Sequence, residues 1–405
     1  MKIGIAGPIS TESIKDLLNG DTSKLPKGCA GAPFLGTLIK SLIKRGHQIS
    51  AYTVDDTLPP EQLNPIIATG ENFKIYYCTT RKHSVRFNGR YLGRSLDFFY
   101  REIQALKIAI NIDQPDIVHG HWSYEFALAA IYSNRPYVVT CHDSPLQVLK
   151  YMPNHYRFGR LLMALWVFRK AKFLTAVSPY LKDELKKFTK VDITVVPNPT
   201  PREPSENQAD DFENTLDLTN PIIAMISNGW ENRKNAKPAM LAFNQLLKNK
   251  PQATLHMFGF DLEVDGPANQ WAQENNIAQN MVFHGPTTST ELLGFLKQST
   301  LLLHPALEEC CPLSLIEAMS FGLPVVGGEK SGGVPWILDY GKAGLLADVS
   351  NPSDMAEKMN ILLENKKLYL KLRNQAIQRI KQLFTQDVVI TSYEAVYLKI
   401  LKGEQ

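Results

Sequence analysis

Short apolar runs alternate with amphipathic stretches along almost the whole chain. In the first half, runs at 2–6, 49–53, 73–77, 117–121, 137–142, 173–178 and 193–197 read as strands. Stretches at 36–45, 96–112 and 179–188 carry the helical period between them. Continuous apolar strands alternating with amphipathic helices predict a parallel sheet covered on both faces. Residues 198–220 are rich in Pro, Asn, Asp and Glu and read as an exposed linker. The alternation then restarts, with strands expected at 222–227, 254–259, 281–285, 301–305, 324–327 and 344–348. Helices are expected at 237–247, 269–276, 290–298, 313–321 and 354–364, and the tail 387–401 reads as a last helix.

The pattern predicts an α/β chain of two doubly wound, Rossmann-like domains. The first spans 1–198 and is completed by the returning tail, 387–405; the second spans 199–386. Open parallel sheets bind ligands beyond the carboxyl ends of their strands, so two such sheets facing across a cleft would set two ligands opposite each other.

Bulk composition fits this division. The 405 residues exceed one ordinary core, and 44% hydrophobic with 21% charged content is that of a globular chain. No apolar run approaches the length that spans a bilayer, and the first residues enter a strand pattern without a secretory leader. Five cysteines, two of them adjacent at Cys310-Cys311, suit a reducing compartment, so a cytoplasmic location is expected. The net charge of +4 divides unevenly, with residues 1–200 at +10 and residues 201–405 at −6. A basic first half suits an anionic substrate or an anionic membrane surface; uneven solvated charge is the plainer reading. No nucleic-acid partner is expected.

The chemistry concentrates in residues 302–326. A buried strand ends at His304-Pro305, a loop carries Glu309, and a helix begins near Pro312, which suits the first helical turn because it has no N–H. Gly322 stops that helix and Pro324 prevents its continuation. The helix start presents unpaired N–H groups at the end of a sheet, a site suited to a diphosphate. Glu309 and Glu317 would repel a diphosphate, so hydrogen-bonding sugar hydroxyls is the task that fits them.

At these residues the chain resembles the retaining glycosyltransferases of family 4, which have the GT-B fold. Glu309 and Glu317 have the family's spacing, and Glu317-Ala318-Met319-Ser320-Phe321-Gly322-Leu323-Pro324-Val325-Val326 follows its pattern without a gap. The resemblance implies that Glu309 holds donor-sugar hydroxyls, that amides near Pro312, Leu313 and Ser314 bind phosphate, and that Glu317 binds the donor ribose. Arg45-Gly46-His47, Asp116 to His121, Thr140-Cys141-His142-Asp143, Ala176-Val177-Ser178 and Val196-Pro197-Asn198 match weaker family motifs in order. The resemblance then puts His142 against the transferred sugar. His119 and His121 read as structural or substrate-lining, with no third ligand spaced for a metal.

Small residues in the loop 27–33 let a backbone approach a phosphate or sugar, and the resemblance points to Gly31, although the family's paired glycines are separated here. Asn228, Gly229, Arg233 and Lys234 open the second domain, where Lys234 matches the lysine that neutralises the donor diphosphate. Gly229 stands where the family usually has Arg, with Arg233 as the candidate substitute. Trp336 stands where the family often has Glu.

The expected reaction is retaining, metal-independent transfer of a hexosyl-type sugar from a nucleoside-diphosphate sugar to a carbohydrate or lipid-linked acceptor, in cell-surface glycan or glycolipid synthesis. His142, Lys234 and Glu309 form the catalytic set, and no cofactor is expected. Alternatives on the same fold are a sugar-nucleotide epimerase, a phosphorylase, or a non-catalytic sugar-nucleotide-binding protein. The segment 155–172 interleaves five cations with apolar residues. It reads either as a core helix with a basic solvent face or as a peripheral contact with the anionic inner membrane face.

Overall fold

The computed structural model describes residues 1–204 and 216–404. The chain divides into one unit of Met1–Pro199 with Gln386–Gln405, and a second of Thr200–Thr385.

The first unit is built on an eight-stranded sheet. Its strands are β1 (Lys2–Ala6), β2 (Gln48–Asp55), β3 (Ile66–Gly70), β4 (Phe73–Thr79), β5 (Ile117–His121), β6 (Tyr137–Cys141), β7 (Leu174–Ala176) and β8 (Ile193–Val195). They lie in the order β3-β4-β2-β1-β5-β6-β7-β8. All neighbours are parallel except β3 and β4. Ile3, Gly4, Ile5 and Ala6 of β1 are all buried, as a strand covered on both faces requires. The unanticipated β3 alternates half-buried and exposed positions, which suits an edge.

Helix Pro33–Lys44 starts on its proline and buries Leu35, Leu38, Ile39 and Leu42 along one face. Helix Gln386–Leu401 closes this unit, with Arg45 bridging Asp387 at 2.5 Å and His47 meeting Glu394 at 2.8 Å. The short helices Glu125–Ile131 and Pro145–Tyr151 were not expected.

The second unit holds six parallel strands: β9 (Ile222–Ile226), β10 (Thr254–Phe258), β11 (Met281–Gly285), β12 (Leu301–His304), β13 (Val325–Gly328) and β14 (Leu345–Ala347). Their order is β11-β10-β9-β12-β13-β14. The chain runs outward from β9 to β11, then returns to the other side of β9, so the topological switch point lies between β9 and β12. The 18-residue helix Lys366–Leu383 was also missed. Its buried positions, Tyr369, Leu372, Ala376 and Ile380, keep the helical period beneath many charged residues, and Tyr369 Oη donates to Thr300 O at 2.7 Å.

The linker expectation needs correcting at its start. Asn198 and Thr200 are buried, and Thr200 N donates to Phe384 O at 2.7 Å. The middle of the expected linker, 205–215, lies outside the described residues. No helix among the described residues is long and apolar enough to cross a membrane.

Candidate functional site

In the second unit, the loops after β9, β12 and β13 meet at the carboxyl ends of the central strands. The first loop turns at Gly229, whose φ of +103° is a conformation that L side chains rarely adopt. A Cβ there would meet Lys234 Cγ at an ordinary contact distance of 3.6 Å, so it is the backbone conformation rather than space that calls for glycine. Asn235, itself left-handed with φ 57°, donates to Pro305 O at 2.9 Å and to Val349 O at 2.8 Å. Leu307 N donates to Arg233 O at 2.8 Å, and these bonds bind the β9 and β12 loops into one platform.

Four charges stand on that platform. Lys234 Nζ lies 2.6 Å from Glu309 Oε1, and Arg233 Nη1 lies 2.9 Å from Glu308 Oε2. Burial acts to raise the Glu309 carboxyl, but the Lys234 and Arg233 cations outweigh it and hold Glu309 below its ordinary range. Burial likewise opposes the Arg233 charge, and Glu309 and Glu308 overcome it. The Glu309 backbone is fixed by Gly333 N, which donates to its carbonyl at 2.7 Å.

Helix Leu313–Ser320 begins one residue beyond this loop. Pro312 is the cap residue rather than part of the first turn, a one-residue correction to the expected start, and no side chain caps the helix. The amides of Leu313 and Ser314 are therefore first-turn donors without an intrahelical partner. Both residues are half-buried. Glu317 lies one turn along, also half-buried, and burial raises its carboxyl to about 7. It enters no ion pair among the described residues.

Asn228 is exposed beside Gly229. Trp336 packs its ring 5.5 Å from that of Phe384 and takes a 2.7 Å bond from Arg379 at its carbonyl, so it serves packing within this unit.

In the first unit, three histidines stand side by side at the ends of β5 and β6. His121 Nδ1 and His142 Nε2 are 2.9 Å apart. The His119 ring stacks 4.0 Å from that of His121, and its nitrogens meet Tyr397 Oη at 2.7 Å and Thr140 Oγ1 at 2.6 Å. His142 is half-buried between Phe34 at 4.9 Å and Trp122 at 4.4 Å. Burial pushes His119 and His142 down to about 3 and His121 well below its ordinary value, so all three are neutral near pH 7.

The loop before helix Pro33–Lys44 is pinned by Gly28, whose amide donates to Asp55 at 2.7 Å. Gly31 has φ +121° and open space where a Cβ would stand. The backbone at Gly31 is therefore accessible, and it lies just before an uncapped helix start.

Two groups were given no role from the sequence. Glu308 was overlooked beside Glu309, although only the pair balances Arg233 and Lys234. His304 is buried at the end of β12, with both ring nitrogens lacking a hydrogen-bond partner among the described residues, and burial lowers it to about 4. Its position at the strand end was the only signal available. Among the described residues, no group of three or more His, Cys, Asp or Glu could hold a metal ion.

Two family descriptions divide the chain between them: Glycosyltransferase Family 4 matches residues 33–203, and Glycosyl transferases group 1 matches residues 206–379. N-acetyl-alpha-D-glucosaminyl L-malate synthase of Bacillus anthracis is 24% identical over 397 residues, covering 93% of this chain and 95% of its own. Sucrose-phosphate synthase from Thermosynechococcus elongatus superposes with a TM-score of 0.74 at 16% identity, covering 100% of both chains. Anabaena HepE, solved in complex with UDP, superposes with a TM-score of 0.68 at 16% identity over 98% of this chain and 100% of its own. These likenesses establish the GT-B fold.

Proposed function

The chain belongs to the group 1 and family 4 glycosyltransferases, and from that premise we propose that it transfers a hexosyl unit from a nucleoside-diphosphate sugar to an acceptor hydroxyl with retention, without a metal. The observation that carries this reading is the pairing of Lys234 with Glu309 at 2.6 Å beside the uncapped start of helix Leu313–Ser320. An ammonium has three donors, and Glu309 takes one of them. The others, with the Leu313 and Ser314 amides, suit the oxygens of a diphosphate at the switch point of the sheet. Arg233 contributes positive potential while its guanidinium stays on Glu308. Uridine diphosphate is the nucleotide chosen for testing, because the HepE structure is a complex with UDP.

In the proposed reaction the bond from the anomeric carbon to the leaving phosphate oxygen breaks. The acceptor oxygen bonds the same face, and its proton passes to the departing phosphate oxygen. Lys234 and the helix amides stabilise the negative charge that grows on the diphosphate. Glu309 accepts from sugar hydroxyls and Glu317 from the ribose, and His142 and the Gly31 backbone are the first unit's candidate sugar contacts. No protein nucleophile is needed, and no step calls on a metal or a cofactor. Synthesis of a cell-surface glycan or glycolipid is the role this chemistry suits; the relative from Bacillus anthracis is named for joining an N-acetylglucosaminyl group to malate.

The test follows products by proton NMR after mixing UDP-hexoses with a panel of sugar, polyol and lipid-linked acceptors in the presence of a chelator. The expected result is acceptor-dependent release of UDP and a product with the donor's anomeric configuration. An inverted product, or donor consumption that ignores the acceptor, would overturn the reading.

A further inference from the structure

We infer that the first unit docks on an anionic lipid surface through a single face formed by the hairpin that follows β4 and by helix His155–Lys170. This goes beyond glycosyl transfer and does not depend on it.

The hairpin is an ordered structure. Arg94 N and Ser95 N donate to His83 O and Ser84 O across its legs, and Asn88 and Tyr91 bridge its tip. Its base is clamped by Arg81, which is 1% exposed and meets Asp97 at 2.7 Å and Glu102 at 2.6 Å. A loop so firmly tied would be expected to turn its large apolar side chains inward. Instead Val85 is 60% exposed, Phe87 67%, Leu96 55% and Tyr100 61%. Phe98 and Phe99 are both left-handed, with φ 52° and 60°. Aromatic residues seldom adopt that strained conformation, and here it leaves Phe98 exposed while Phe99 is buried.

Helix His155–Lys170 has a matching stripe. Phe158, Leu162 and Trp166 recur every fourth residue and are 53%, 40% and 50% exposed, while Met163, Ala164, Val167 and Phe168 are buried behind them. The two elements touch. Arg160 lies 4.8 Å from the Phe99 ring and 3.7 Å from the Tyr124 ring, with its guanidinium on Glu125 at 2.5 Å. Arg160 is therefore a half-buried brace, which corrects its assignment to a basic solvent face.

Charge selects the occupant. Residues 82–96 carry four cations and residues 155–172 carry five, and neither segment contains an acid. Among the described residues, Lys82, Arg86, Arg157, Arg169, Lys170 and Lys172 enter no ion pair. Exposed aromatics mixed with unpaired cations, in segments that carry no carboxylate of their own, fit a bilayer interface, where rings enter the headgroup boundary and cations meet lipid phosphates. A protein partner with an apolar pocket would not need this excess of like charge. Asp56, Lys82, His83 and Tyr91 line a cavity of about 630 Å³ that the hairpin shares with the end of β2, so a docked face would hold that cavity close to lipid headgroups.

Vesicle sedimentation of the full chain tests the inference. It uses phosphatidylcholine vesicles with and without phosphatidylglycerol, and three double variants. These are Phe87→Ser with Leu96→Ser, Phe158→Ser with Leu162→Ser, and Arg86→Glu with Lys170→Glu. The expected result is sedimentation only with the anionic lipid, release by high salt, and a loss of affinity of about five-fold for each cation removed. Both serine pairs are expected to weaken binding roughly ten-fold or more. Unchanged thermal melting and UDP affinity in the variants separate a lost docking face from a lost fold. Equal binding to neutral vesicles, no binding at all, or wild-type binding by either serine pair would overturn the proposal. Retention on a soluble polyanion such as heparin without vesicle binding would overturn it too.

Discussion

His121 Nδ1 stands 2.9 Å from His142 Nε2, so the histidine expected to face the sugar has one ring nitrogen already engaged by the neighbouring strand. The bond fixes the His142 ring plane between Phe34 and Trp122. Replacing His121 by Phe keeps a ring in the core but removes the bond. Turnover is expected to fall roughly ten- to a hundred-fold with KM little changed, as for a misoriented contact group. Steady-state kinetics with a saturating donor checks this, and an unaltered kcat would mean that His142 needs no such support.

The same cluster should make stability fall in acid. In the fold, burial holds His119 and His142 near 3 and His121 well below its ordinary value, whereas in the unfolded chain all three titrate near 6.5. Their folded values are lowered, so the stability from keeping them neutral is present above about pH 6.5 and is lost as pH falls toward 3. Each imidazole contributes a slope of about 1.4 kcal/mol per pH unit in that window. Urea unfolding between pH 7 and pH 5 should show the slope, and His121→Phe should shallow it by about one proton.

Lys234→Ala should mainly slow turnover. Loss of one charge stabiliser at a leaving group costs about a hundred- to a thousand-fold in kcat. Glu309 would lose its nearest cation, so its carboxyl should titrate higher. Rapid-quench measurement of the chemical step distinguishes this from slower product release. A variant with normal chemistry but weak donor binding would move Lys234 from catalysis to affinity.

Glu317 should couple donor binding to a proton. Burial holds its carboxyl at about 7, and hydrogen bonds from ribose hydroxyls would favour the ionised form. UDP binding near pH 6.5 is then expected to release a fraction of a proton and to tighten as pH rises through 7. Calorimetry in two buffers of different ionisation enthalpy reads the release directly. Glu317→Gln should abolish it and weaken UDP binding; a persisting release would place the proton elsewhere.

Gly229→Arg restores the residue expected from the family pattern, yet it should not restore a phosphate contact. The +103° φ at this position strains any side chain. A stability loss of about 1–2 kcal/mol is expected by denaturant unfolding, without a gain in UDP affinity.

Legibility differed by element. β1, β5 and β11 coincide with their expected spans. Helix Lys366–Leu383 escaped because its few core residues are diluted by lysines and arginines, which suit one exposed face but blur the period. The exposed hairpin after β4 left no helical or strand pattern over 82–95, and residues 96–99 were read into a helix that begins only at Tyr100. Its order comes from Arg81, whose partners Asp97 and Glu102 lie 16 and 21 residues away.

The sequence alone determined the two parallel α/β units and the segment running from Glu309 to Val326. Periodicity, helix stops and motif spacing act over a few residues and can be read in order. Only the tertiary structure decided that Arg233 is matched by Glu308 and Lys234 by Glu309, each 75 residues distant. It also decided that His304 lies near them without a hydrogen-bond partner among the described residues, and that Arg160 is a brace rather than a surface charge. Those outcomes depend on β12 returning beside β9, and on helix His155–Lys170 meeting the base of a hairpin. Charges brought together this way settle by Coulomb attraction and burial, and neither quantity exists until the strands are side by side.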